Sequence, residues 1–205
     1  EFAPGYAEST GRVPVQTTEA NGIQIAWTEL GNPGGEPLVM IMGLCASHKV
    51  WGDKLPEGLA ALGYRVILFD NRDVGGSGRF EDYGQPVLWW NFLRNELGFG
   101  VATPYTLNDM ADDTVALMDV LGIEDAHIVG ASMGGMIAQM VAVRHPARTR
   151  SLISIMSTTG APHLPQARKE ETDKLSNIAE SDDERRVQMN ELGFFPKSIA
   201  RQLMA

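Results

Sequence analysis

Four short, largely apolar runs, separated by helical or turn-forming sequence, constrain this chain more than any other feature. They lie at residues 38–42, 65–69, 127–130 and 151–156. A strand with one wet face alternates apolar and polar residues. A short run that does not alternate suits a strand buried on both faces of a parallel sheet. Between the first two runs, residues 55–62 have the pattern of a helix closed by Gly63. Before the third, residues 107–121 place Leu107, Met110, Thr114, Leu117, Met118 and Leu121 near helical spacing, and Gly122 ends the element. Before the fourth, residues 133–144 read as a helix stopped by His145-Pro146. This order predicts crossover connections and an α/β architecture, a mostly parallel sheet with helices on both faces. Ahead of it, residues 13–18 and 23–30 read as strands joined by the Asn21-Gly22 turn, an antiparallel hairpin at the edge of the sheet.

The 205 residues suffice for one domain with a real core, and 43% hydrophobic content is that of an ordinary globular chain. A formal net charge of −9, with Lys and Arg scattered, argues against nucleic-acid binding, which needs clustered cations to displace counterions. No apolar run approaches the ~20 residues that span a bilayer. The single cysteine, Cys45, permits no intrachain disulfide and fits a reducing, cytoplasmic setting. The chain opens on Glu1 without the basic and apolar segments of a signal peptide. One cysteine and four dispersed histidines give no metal-ligand spacing. Neither G-x-G-x-x-G nor a Gly-Lys-Ser/Thr ending occurs, so no cofactor is expected.

Chemistry concentrates in Gly130-Ala-Ser132-Met-Gly134, a G-x-S-x-G pentapeptide directly after the third apolar run and directly before an amphipathic helix. That context is the one a nucleophile elbow requires. The serine would sit in a strained turn above the sheet, while the flanking Gly130 and Gly134 let strand and helix backbones approach. The helix N-terminus would offer the N–H of Met133 to a developing oxyanion. A second donor is needed from the loop Met42-Gly43-Leu44-Cys45, where Gly43 permits a sharp turn and Leu44 supplies its N–H. Gly43, Cys45 and His48 are expected beside the pocket, with Cys45 a packed thiol rather than a nucleophile. His48 is expected to line the pocket or serve structure, and His163 to lean over the site or stay outside it. His127 and His145 are expected to be structural. Asp70 and Asp73 are expected to pair with Arg72 or to cap backbone groups in the turn 70–78, whose glycines make a tight bend rather than a phosphate loop.

These residues resemble the α/β-hydrolase superfamily. Ser132 in its elbow, the Met42-Gly43-Leu44 loop, the Asp70-Asn-Arg-Asp-Val-Gly-Gly-Ser77 turn, the Gly135-Met-Ile-Ala-Gln139 helix start and Arg144-His-Pro-Ala-Arg148 together are similar to bacterial serine esterases of the aclacinomycin-methylesterase-like group. The resemblance covers roughly residues 20–160. It implies a hydrolase core over 1–160 and the beginning of a helical cap over 161–205, where the pattern itself reads as helices at 166–180, 182–192 and 198–205; the alternative is a solvated helical tail. It implies hydrolysis of a small-molecule ester; the aromatic segment with Trp89 and Trp90, together with the cap, would line an apolar pocket for a hydrophobic part of it, or the two tryptophans would only pack that segment.

The superfamily places its acid and its histidine after the nucleophile, and the positions where some members carry the acid are Ser157, Thr158 and Thr159 here. The expectation is therefore a chain truncated before the catalytic acid, the base and the last strands, and inactive alone. Its 151–156 edge would be covered by a C-terminal complementing segment or by a homodimer partner. A perhydrolase or C–C hydrolase on the same fold, and a non-catalytic binding protein that keeps the fold, remain alternatives.

Overall fold

The computed structural model describes residues 14–79, 105–161 and 163. The elements run β1 (Gln16–Ala20), β2 (Ile23–Gly31), β3 (Pro37–Ile41), a 3₁₀ turn (His48–Trp51), α1 (Lys54–Ala61), β4 (Arg65–Phe69), α2 (Leu107–Val120), β5 (Ala126–Ala131), α3 (Met133–Arg144) and β6 (Thr149–Ile155). Among the described residues the strands form one sheet in the order β1-β2-β4-β3-β5-β6. β2 is antiparallel to β1 and β4, while β3, β4, β5 and β6 are parallel.

The hairpin turns at Asn21-Gly22 as expected. Ala20 pairs with Ile23, and both turn residues have positive φ, 52° and 74°. That is the left-handed two-residue turn whose twist matches the strands. β1 begins at Gln16, not at residue 13. Val13 lies outside the described residues, and Pro14 has no N–H to give a ladder. β2 then serves two neighbours, pairing with β1 up to Trp27 and with β4 from Trp27 onward.

Burial explains why β3, β4 and β5 do not alternate in sequence. Val39, Ile41, Ile67, Phe69 and Ile128 point to one face, where they pack with Met110, Leu117 and Met118 of α2 and Ile137, Ala138 and Val141 of α3. Leu38, Met40, Val66, Leu68 and Val129 point to the other, against Ala46, Trp51 and Leu59 and Ala60 of α1. Each such side chain contributes roughly 1.5–3 kcal/mol of transfer free energy. α2 starts with a capping box, in which Thr106 accepts from Asp109 N–H and the Asp109 carboxylate accepts from Thr106 N–H.

One apolar run departs from its expected burial. β6 carries the register of a core strand, yet residues 150–154 are exposed, Ile153 at 49%. Among the described residues β6 pairs only with β5, so an apolar strand stands at the end of the sheet. The aromatic segment with Trp89 and Trp90 and the three helices expected beyond residue 165 lie outside the described residues. Among the described residues no helix is long and apolar enough to cross a membrane.

Candidate active site

The topology itself creates a crevice. From β3 the chain crosses to β4 on one side, and β5 later takes the other side of β3. The connection after β3 leads to α1 on one face, and that after β5 leads to α3 on the opposite face. The two loops therefore part at the carboxyl ends of adjacent parallel strands, the usual place for a ligand in such sheets. Ile41 pairs with Gly130 as the last rung, so Gly43 and Ser132 follow at matching heights.

Ser132 occupies that position with φ 56° and ψ −124°, between β5 and α3. A non-glycine residue there costs on the order of 1–3 kcal/mol, which the surroundings must offset. They do so by hydrogen bonds at both ends. Ser132 N–H donates to Ile155 O of β6 (2.9 Å), and Ser132 O accepts from Gly135 N–H (2.9 Å). The side chain is half-buried, and its hydroxyl does not cap the helix. A β-carbon at Gly130 would strike the carbonyl of Gly134, and one at Gly134 would strike the carbonyls of Ile41 and Met42. Both glycines are thus required for the start of α3 to press against β3 and β5. Met133 is the first residue of α3, where amides have no partner inside the helix.

The loop after β3 meets the serine. A β-carbon on Gly43 would lie 3.0 Å from Ser132 Cβ and 3.4 Å from its Oγ. Ala46 N–H donates to Gly43 O (3.3 Å), closing a turn over Leu44 and Cys45, with Cys45 at φ 54°. Leu44 is 46% exposed. Cys45 is exposed too, so its thiol is not the packed group expected from sequence; the left-handed turn carries it outward.

His48 is buried and held by a carboxylate. Its ring Nδ1 and its backbone N both lie 2.7 Å from Asp70 Oδ1. An ionised carboxylate only accepts, so Nδ1 carries the proton. Burial pushes the Asp70 carboxyl up, but hydrogen bonds from the His48 ring, Gly76 N–H and His48 N–H outweigh it and hold the group below its ordinary range. Asp70 thus caps backbone groups. Arg72 is gripped bidentate by Asp113, at 2.6 Å for each bond, and Asn21 Nδ2 donates to the same carboxylate at 2.8 Å. Sequence could not offer that partner, 41 residues away. Asn71, unremarked in sequence, donates through Nδ2 to Met42 O at 2.8 Å. Its sequence signal was its place in the Asp70–Ser77 turn that carries the family resemblance.

The remaining histidines lie elsewhere. His127 Nδ1 is 2.7 Å from Ser151 Oγ, with Tyr64 edge-on to the ring. It sits five residues before Ser132, about 16 Å along an extended strand. His145 caps the far end of α3 and bonds Asp112 at 2.8 Å. His163 is exposed. Among the described residues no histidine hydrogen-bonds Ser132, and no three His, Cys, Asp or Glu converge on a metal site.

Comparison with known proteins agrees with this geometry. Residues 36–203 match the family described as alpha/beta hydrolase fold. Rhodomycin D methylesterase DauP of Streptomyces sp. (strain C5) is 34% identical over 127 residues, 62% of this chain and 37% of the relative. Rhodomycin D methylesterase DnrP of Streptomyces peucetius is 35% identical over the same shares. The chain thus spans well under half the length of these curated relatives. Among solved structures, a membrane phospholipase A aligns with TM-score 0.62 and 21% identity, over 93% of this chain and 56% of its own. The thioesterase domain from the curacin biosynthetic pathway aligns with TM-score 0.57 and 22% identity, over 80% and 50%. These structural likenesses speak for the fold. The chain belongs to the alpha/beta hydrolase fold family.

Proposed function

We propose that this chain carries the nucleophile of a serine hydrolase that cleaves carboxylic esters through an acyl-enzyme on Ser132. The observation that carries the reading is the strained Ser132 bend, set between a parallel strand and a helix N-terminus and abutted by Gly43. A serine hydroxyl is a weak nucleophile until a base takes its proton, and a carboxylate must orient that base. Both come from outside the described residues. As Ser132 Oγ attacks the carbonyl carbon, its proton passes to the base and the carbonyl oxygen becomes an oxyanion. The N–H groups of Met133 and Leu44 receive that charge. The base then protonates the leaving alcohol, and water releases the acid.

The methylesterase relatives favour a methyl ester, and exposed Leu44 in the loop beside Ser132 fits a substrate with a hydrophobic part. Residues 1–160 form the hydrolase core in this reading, and 161–205 begin a cap over it. The exposed β6 edge fits further strands of the same protein. The test is hydrolysis of p-nitrophenyl esters and of aromatic methyl esters by the complete protein. Ser132→Ala is expected to lose at least about 10³-fold in kcat. Turnover that survives the substitution contradicts the reading.

A further inference from the structure

The two residues that follow β4 hold the loop after β3 at both of its ends. Asn71 Nδ2 donates to Met42 O at 2.8 Å, immediately before Gly43. Asp70 Oδ1 accepts the His48 amide and lies against the His48 ring, both at 2.7 Å, just past the turn. Both residues are 3% exposed. The grip is itself anchored: Asp70 Oδ2 accepts Gly76 N–H at 3.0 Å, and Asp70 O accepts the Ser77 hydroxyl at 2.6 Å.

Between these two holds, residues 43–45 have few hydrogen bonds of their own among the described residues. The turn has one long backbone bond of 3.3 Å, and Cys45 is a non-glycine residue in the left-handed region. A peptide is planar, so fixing the carbonyl of Met42 fixes the plane of the Met42–Gly43 peptide, from which the chain runs one residue on to the Leu44 N–H. Oxyanion donors work only when aimed at the place where charge develops.

We propose that Asp70 and Asn71 are positioning residues, which hold the Gly43–Cys45 segment in register with Ser132 and so set the rate of the chemical step. The proposal rests on the ester-hydrolase reading above. The two fail in different ways under one experiment, steady-state kinetics of the complete protein with a p-nitrophenyl ester.

Asn71→Asp keeps the size of the side chain and removes the donor; Asn71→Ala removes it without adding charge. Asp70→Asn keeps one acceptor for His48 and loses the acceptor for Gly76. Asp113→Asn is the comparator, because it weakens the Arg72 ion pair of the same 70–78 turn and leaves the loop contacts alone. Both Asn71 variants are expected to lose on the order of 100-fold in kcat, with KM within about threefold of wild type. Asp70→Asn shows the same split to a smaller degree. Asp113→Asn lowers the melting temperature and leaves kcat within about threefold.

Wild-type kcat in both Asn71 variants, with Ser132→Ala inactive, overturns the proposal and leaves the site reading standing. An equal kcat loss in Asp113→Asn also overturns it, since general loosening would then suffice. So does unfolding of both Asn71 variants, which would make the contact a requirement of the fold. Activity that survives Ser132→Ala overturns the reading and the proposal together.

Discussion

Asp70 shows how one side chain can be both a cost and a gain. Taking its carboxyl out of water disfavours the charge, yet three donors converge on the two oxygens and the ionised form wins. Its folded-state pKa therefore lies below the ordinary 3.8. A depressed carboxyl contributes stability that is fully present above the unfolded value and is lost as pH falls through the folded one. Urea unfolding at pH 6 and near pH 3 is expected to show a smaller loss for Asp70→Asn than for the wild type. An unchanged loss would place the acid sensitivity elsewhere, and Asp112, lowered by His145 and Arg144, is the next carboxyl to examine.

Residue chemistry was legible in sequence where it was local. The G-x-S-x-G spacing announced the bend at Ser132; Gly43 was expected for a sharp turn, but it has no left-handed φ and stands instead where Ser132 comes close. His48, Arg72 and Asn71 were not legible, because their partners Asp70, Asp113 and Met42 stand 22, 41 and 29 residues away. No pattern in a single chain links such pairs.

Among the elements, β4 and β6 were both read as buried strands, and they have opposite surroundings. Ile67 is fully buried between β2 and β3, while Ile153 is 49% exposed on a strand whose described neighbour lies on one side only. Ile67→Ala is expected to cost about 2–5 kcal/mol in denaturant unfolding. Ile153→Ala is expected to cost under about 1 kcal/mol in the 205-residue chain. Equal costs would mean that β6 is covered in solution. An unalternating run reports what a strand is built to pack against, and it cannot report whether that neighbour is present. The strand and helix types followed the pattern from β2 through α3. The start of β1 did not, because a proline without an N–H precedes it. The helix ends moved by a residue where Gly63 and Gly122 take left-handed conformations.

At the scale of the molecule, the site is a consequence of strand order. β3 is flanked by β4 and β5, the chain leaves β3 and β5 toward opposite faces, and the serine rises where the two loops separate. The alternation of apolar runs and helices was enough to foresee that sheet, though not its order. β6 then supports the site from the other side, since Ile155 O holds the Ser132 amide. Ester hydrolysis on this scaffold requires Ser132 to be a reactive nucleophile in the complete protein. The most direct measurement is mass-spectrometric mapping of the adduct formed with a fluorophosphonate probe. One adduct on the peptide containing Ser132, lost in Ser132→Ala, is the predicted result. An adduct on another residue, or none on folded complete protein, contradicts the account.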